Sequence, residues 1–182
     1  MLPSPVRCGP LSPTGVMSEK SAEHPEMEIE RKFLVSEVPE SASAASPIPI
    51  VQGYIAVEPG GREVRLRRKG DRFFQTIKSG TGITRLETEI ELTGEQFEKL
   101  WPQTDGRRIE KDRREVPHRG HVIELDVFGG ALDGLVIAEV EFGSLEDSRA
   151  FEPPDWLGEE VTEEAGYHNR NLALHGRPPR TA

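Results

Sequence analysis

The chain has 182 residues, of which 35% are hydrophobic and 30% charged, with a net charge of −9 and a single cysteine, Cys8. That length suits one domain, and the negative charge excludes general binding to nucleic acid or an anionic membrane, both of which want a positive surface. One cysteine supplies neither a disulfide framework nor a thiolate metal cluster and fits a reducing, cytoplasmic setting; no apolar run approaches the roughly 18 residues of a transmembrane helix.

Residues 1–26 carry five prolines without a periodic pattern, so a disordered tail is expected there, with Met17 and Met27 as alternative starts. The folded domain is expected over 27–176, followed by a short tail, 177–182. "MEIERKFLV" (27–35) alternates as a strand, and the Ser/Ala/Pro-rich segment after it reads as a connection with a short helix or loop. Strands follow at 52–58, 62–69 and 72–78, joined by "PGG" and "KGD" turns, and another at 83–92. Thr93 with Gln96 three residues later forms a capping-box pattern that opens a helix with Phe97, Leu100 and Trp101 on its apolar side. Further strands read at 107–116, 121–128 and 135–143, then a short helix in "SLEDSRAF" and a loop, "PPDWLGEEVT", ending at a cap residue, Thr162. The C-terminal helix runs from there to Gly176. Short connections and regular turns point to an α+β chain: an eight-stranded antiparallel β-barrel with peripheral helices.

The strands share an unusual alternation. Glu28, Glu30 and Lys32 fall on one face of the first, Ile29 and Phe33 on the other. Charged doublets recur as Arg65 and Arg67, as Glu87 and Glu89 (with Glu91), as Lys111 and Arg113, as Glu124 and Asp126, and as Glu139 and Glu141, with Lys78 alone on its strand. For any one strand, a solvated sheet face is the ordinary explanation. Across the set, doublets of one sign back onto apolar rows strand after strand, the pattern of a barrel with a charged lumen and an apolar exterior under helices. Six cations (Lys32, Arg65, Arg67, Lys78, Lys111 and Arg113) suit several phosphate groups. The carboxylates suit a hard divalent cation, Mg²⁺ or Mn²⁺, that bridges to phosphate. A metal-bound oligophosphate answers both sets.

"EIERK" resembles the ExExK signature of the CYTH superfamily, the triphosphate tunnel metalloenzymes. The resemblance continues in order through "QGYI", "EVRLRRKGDRFFQTIKSG", "RLETEIEL", "EKDRREV", "IELDVF", "LVIAEVEF", "PPDWLGEEVT" and "YHNRNLA", covering roughly residues 27–175. It implies a tunnel that binds a small-molecule triphosphate end-on with Mg²⁺ or Mn²⁺. The chain is most similar to the small bacterial branch associated with inorganic triphosphatase activity. Thiamine triphosphatase, adenylate cyclase and, in another class, a non-catalytic polyphosphate-binding module stand as alternatives. By position, the resemblance makes Glu28, Glu30, Glu139 and Glu141 metal ligands, Glu87 and Glu89 an acidic pair that holds a second metal or positions water, and Arg65, Arg67, Lys78, Lys111 and Arg113 phosphate-binding residues. It places Lys32 at the signature lysine and Tyr54 as its catalytic partner. Lys32 among other cations is expected to have a depressed pKa and act as base with Tyr54 orienting it, a glutamate being the other candidate. A homodimer is compatible with the sequence. His118 and His121 read as a solvated turn, Trp101 and Trp156 as packing residues, and His168 and Asn169 as residues that dock the C-terminal helix.

Overall fold

The computed structural model describes residues 26–80 and 84–179, the side chains of 26–28, 41, 84 and 85 excepted. Apart from Glu26, the expected N-terminal tail lies outside the described residues, as do residues 180–182. Eight strands form: β1 (Glu26–Leu34), β2 (Ile48–Val57), β3 (Glu63–Lys69), β4 (Arg72–Ser79), β5 (Thr84–Leu92), β6 (Arg108–His118), β7 (His121–Phe128) and β8 (Val136–Phe142). They close into a barrel in the order β1-β5-β4-β3-β2-β6-β7-β8, every pair antiparallel. β2 starts at Ile48, ahead of the expected 52, because Ile48–Val51 pair with Arg113–Glu110 of β6; the Ser/Ala/Pro content upstream hides that start. "KGD" and "HRGH" make the expected tight hairpins. In the second, Arg119 (φ 45°) and Gly120 (φ 86°) both take the left-handed conformation of a two-residue turn matched to strand twist.

The seam of the barrel is short. β1 pairs with β5 only over Glu26–Ile29 and with β8 over Ile29–Leu34. Beyond Ile29 the exposed edge of β1 is taken by residues 158–162: Gly158 N–H donates to Leu34 O, Leu34 N–H to Glu159 O, Val161 N–H to Lys32 O, and Lys32 N–H to Thr162 Oγ1. Covering the edge satisfies backbone groups that would otherwise face a gap in the wall. It also corrects the expected helix start, since Thr162 caps the strand edge rather than a helix.

The helices are α1 (Glu40–Ser43), α2 (Gly94–Leu100), α3 (Leu145–Ala150) and α4 (Asn169–His175). The capping box of α2 is present: Gln96 N–H donates to Thr93 Oγ1 (3.2 Å) and Thr93 N–H to Gln96 Oε1 (2.8 Å). No helix among the described residues is long and apolar enough to cross a membrane.

The main hydrophobic core lies outside the barrel. Ile29 and Phe33 of β1, Ile123 and Leu125 of β7, and Ala138, Val140 and Phe142 of β8 pack with Ala42, Phe151 and Leu157. A second cluster seals one end: Ile109, Phe128 and Ile137, the lumen-side residues where β6, β7 and β8 turn apolar, meet Val161, Tyr167 and Leu172. On the outer face, Gly53 is required for packing. A Cβ there would stand 2.6 Å from Cβ and Oγ1 of the fully buried Thr104. Gly53→Ala is therefore expected to cost about 1–3 kcal/mol by overpacking, read as a lower denaturation midpoint with unchanged slope.

Candidate active site

Antiparallel partners share a face, so the register fixes what the lumen holds. On one wall Lys32 stands opposite Glu139, Glu139 opposite Glu124, and Arg113 opposite Asp126. On the other, Glu63 lies opposite Lys78 and Lys78 opposite Glu87, with Arg65, Thr76 and Glu89 one step along. A cavity of about 80 Å³ lies between the walls. It is lined by Glu30, Lys32, Tyr54, Arg65, Arg67, Lys78, Glu87, Lys111, Arg113, Glu139 and Glu141, all expected from the sequence. Glu89 sits beside it on Arg67 (2.8 Å). The side chain of Glu28 is outside the described set.

The first wall is a dense ion network. Lys32 Nζ reaches Glu139 at 2.6 Å and Glu30 at 3.0 Å. Arg113 donates through Nε and Nη2 to Asp126 (both 2.6 Å), through Nη2 to Glu139 (2.7 Å), and through Nη1 to Glu124. Lys111 also pairs with Asp126, which is fully buried. On the second wall Lys78 binds Glu87 (2.7 Å), Arg65 approaches Glu87 (3.5 Å), and Thr76 Oγ1 donates to Glu89 (2.8 Å). Tyr54 lies between the walls, its hydroxyl accepting from Gln52 Nε2 (3.0 Å).

These contacts set the protonation states. Burial pushes the Lys32 ammonium down, but Glu139 and Glu30 together hold it above the ordinary lysine value. The depressed value expected for Lys32 is thus corrected: its nearest neighbours are carboxylates, not the other cations. Lys111 is the depressed lysine, lowered by burial and by Arg113 against the pull of Asp126. Burial raises Glu139, yet Lys32, Lys111 and Arg113 hold it well below the usual carboxylate range. Glu87 is likewise held down, with Lys78 and Arg65 overcoming burial. Burial and the neighbouring Arg65 lower Arg67.

The donor chemistry fits a hard cation together with phosphate. Glu30 and Glu141 are direct cross-strand partners, with Glu139 one step along the same face. As they stand, Glu30 and Glu139 are turned toward lysine and arginine, and among the described residues no group of three or more His, Cys, Asp or Glu is arranged to hold a metal. Ligation therefore requires the carboxylates to leave their cations, which an incoming anion would take over. Arg67 lines the cavity, and its Nε is buried without a hydrogen-bond partner among the described residues.

Several residues in or directly behind the cavity wall were not carried into the expected site. Asp126 alternates with Glu124 and was visible in the pattern. Gln52 and Glu63 follow strand parity. His168, Asn169 and Arg170 of the C-terminal segment also line the cavity, so His168 and Asn169 do more than dock a helix; no local signal in a short helix announces which cavity it enters. His118 and His121 lie outside the lumen, where His121 packs edge-on against Phe142 and Phe151 (5.3 and 5.4 Å). Trp101 stacks on Phe97 and Trp156 packs against the main core.

The CYTH domain family profile matches residues 26–175. An inorganic triphosphatase of Nitrosomonas europaea is 48% identical over 149 residues, covering 81% of this chain and 97% of that protein. An inorganic triphosphatase of Acetivibrio thermocellus is 40% identical over 147 residues, covering 80% of this chain and 92% of its own length. A solved inorganic triphosphatase structure superposes with a TM-score of 0.63 at 45% identity, over 83% of this chain and all of that one.

Proposed function

The chain belongs to the CYTH family, and from its likeness to two inorganic triphosphatases and the chemistry of its lumen we propose that it hydrolyses inorganic triphosphate with a divalent metal, Mg²⁺ or Mn²⁺. The observation that carries this reading is the buried, interleaved network itself. Lys32, Arg65, Lys78, Lys111, Arg113, Glu30 and Glu139 are all buried around one cavity, an arrangement too costly in desolvation to persist for folding alone.

Glu30, Glu139 and Glu141, with Glu28 by position in the signature, would hold the metal, and Glu87 and Glu89 form a second acidic pair. A metal held there would supply positive charge against phosphate oxygens and a more acidic water. The chain's own residues position the substrate. Arg65, Arg67 and Lys78 grip from one wall and Lys32, Lys111 and Arg113 from the other, exchanging carboxylate oxygens for phosphate oxygens. The chain of three phosphates is thereby held straight for in-line attack by water, and the charge that develops on the leaving oxygens meets preformed donors. Lys32, kept protonated by Glu139 and Glu30, serves in this reading as a charged donor to phosphate rather than as base. Tyr54 and Gln52 line the wall between the two grips. A cytoplasmic setting belongs to the same reading.

Purified protein incubated with tripolyphosphate, ATP or thiamine triphosphate, each with Mg²⁺ or Mn²⁺, separates the readings by product. Orthophosphate released fastest from tripolyphosphate is the expected result. Cyclic AMP from ATP would instead identify a cyclase, and binding without turnover a polyphosphate-binding module.

A further inference from the structure

The lumen-side rows change character along the strands. Arg113 and Lys111 give way to Ile109, Asp126 to Phe128, and Glu139 to Ile137, and this apolar end is sealed by Tyr167 and Leu172. At the opposite rim the charges continue into solvent as the pairs Lys69–Glu115 and Arg72–Glu91. The cavity is therefore a cup rather than an open tunnel, and a phosphate chain entering at the rim stops against α4. Its first turn faces the cavity with Asn169 and Arg170.

Arg170 is only loosely engaged there. Its Nη1 lies 3.5 Å from Glu63 Oε2 and 3.5 Å from Gly61 O, against 2.6–2.7 Å for the contacts Arg113 makes with Asp126 and Glu139. Contacts that long are at the edge of hydrogen bonding. Beside it, Asn169 Nδ2 stands 3.4 Å from Glu139, and Asn169 Oδ1 is buried without a partner among the described residues. A guanidinium at the blind end of a phosphate-sized cavity, weakly held by a buried carboxylate, is poised to exchange that carboxylate for phosphate oxygens, which it binds bidentately. We propose that Arg170, carried into the lumen by α4, contacts the innermost phosphate of the substrate, with Glu63 as the resting partner that the substrate displaces. The proposal rests on the triphosphatase reading and adds to it a substrate-binding residue supplied from outside the strands.

Three variants test it: Arg170→Ala, Glu63→Gln and the double variant, each assayed for KM and kcat on tripolyphosphate and, without metal, for tripolyphosphate affinity by calorimetry. Arg170→Ala is expected to weaken affinity roughly 10- to 100-fold, the loss of a charge-assisted contact, with kcat changed far less. Glu63→Gln, by removing the competitor, is expected to tighten affinity, and that gain should vanish in the double variant. A Glu63–Arg170 pair that merely braces the fold would make both single variants weaken affinity alike, and that result, or an unchanged affinity in Arg170→Ala, overturns the proposal. Should Arg170→Ala fail to fold, Arg170→Gln removes the charge while keeping the stem, with the same expectations. Wild-type protein that binds tripolyphosphate without hydrolysing it would refute the hydrolase reading while leaving Arg170 to be judged on affinity; absence of binding would refute both.

Discussion

Lys32→Ala is expected to lower orthophosphate release from tripolyphosphate by a factor on the order of 10²–10³, the usual consequence of deleting one preorganised charged donor from a reacting centre. The ammonium stands between Glu139 (2.6 Å) and Glu30 (3.0 Å), so its loss acts twice. A phosphate oxygen loses a donor, and two buried carboxylates lose the cation that both of them contact. The second effect should appear as a weaker ligand-free fold that Mg²⁺ stabilises more than it stabilises the wild type, because a divalent cation replaces the missing charge. Steady-state kinetics with thermal melts at several Mg²⁺ concentrations check both effects. A variant retaining more than about a tenth of wild-type turnover would remove Lys32 from the reacting centre, since an interaction worth less than ~1.4 kcal/mol is not the one described.

Turnover falls whether Lys32 is a donor or a base, and it is the carboxylates beside it, Glu139 and Glu30, that favour the donor. The sequence places Lys32 among cations and suggests a depressed pKa, whereas the register puts Glu139 directly across from it. Spacing of two along a strand reveals which residues share a face; it does not reveal which strand lies beside which. β1 is next to β8, the last strand, and only partly next to β5. The nearest carboxylate to Lys32, Glu139 at 2.6 Å, therefore comes from more than a hundred residues away, and no local pattern ranks it against the arginines.

The same distinction separates what was legible from what was not. Faces were legible, because a charged row backed by an apolar row needs only strand parity, and the described lining residues among those expected do converge on one cavity. Turns and the α2 cap were legible because their chemistry is local: a left-handed pair at Arg119 and Gly120, a reciprocal bond between Thr93 and Gln96. The closed end of the cup was not. It depends on residues 158–162 lying along the edge of β1 and on Tyr167 and Leu172 meeting Ile109, Phe128 and Ile137. That is a tertiary encounter between a segment with weak helical periodicity and the apolar ends of three strands. An expected helix from Thr162 becomes a strand-edge contact followed by a helix that starts only at Asn169, because satisfying the backbone of β1 outweighs the modest propensity of "TEEAG".

Asp126→Asn is expected to be the most damaging single change to stability, about 3–5 kcal/mol, because it breaks a fully buried charge pairing and leaves the other members in place. Asp126 holds Lys111 and accepts Nε and Nη2 of Arg113 at 2.6 Å each. Without its negative charge, two cations face each other in a site from which water is largely excluded. Arg113 keeps Glu124 and Glu139; Lys111 loses the group that its ammonium directly pairs with. The lysine is already held below its ordinary value of 10.5 by burial and by Arg113, and in the variant Glu139 is left as the raising influence against them, without the carboxylate that pairs directly with the ammonium. A lysine whose folded pKa lies below its unfolded value binds fewer protons when folded. Stability therefore rises with pH between the folded value and 10.5, and falls as acid forces the proton on. The variant should accordingly recover part of its loss as pH is raised toward 10, more steeply than the wild type does. Tripolyphosphate should rescue it as well: a polyanion seated among the same cations stabilises the fold by about 2.7 kcal/mol at a hundredfold excess over its dissociation constant. Urea denaturation across pH, with and without tripolyphosphate, measures both recoveries. A variant with undiminished stability, or one that neither alkaline pH nor tripolyphosphate restores, would show that Lys111 and Arg113 are not held together by this carboxylate in the way the substrate is proposed to hold them.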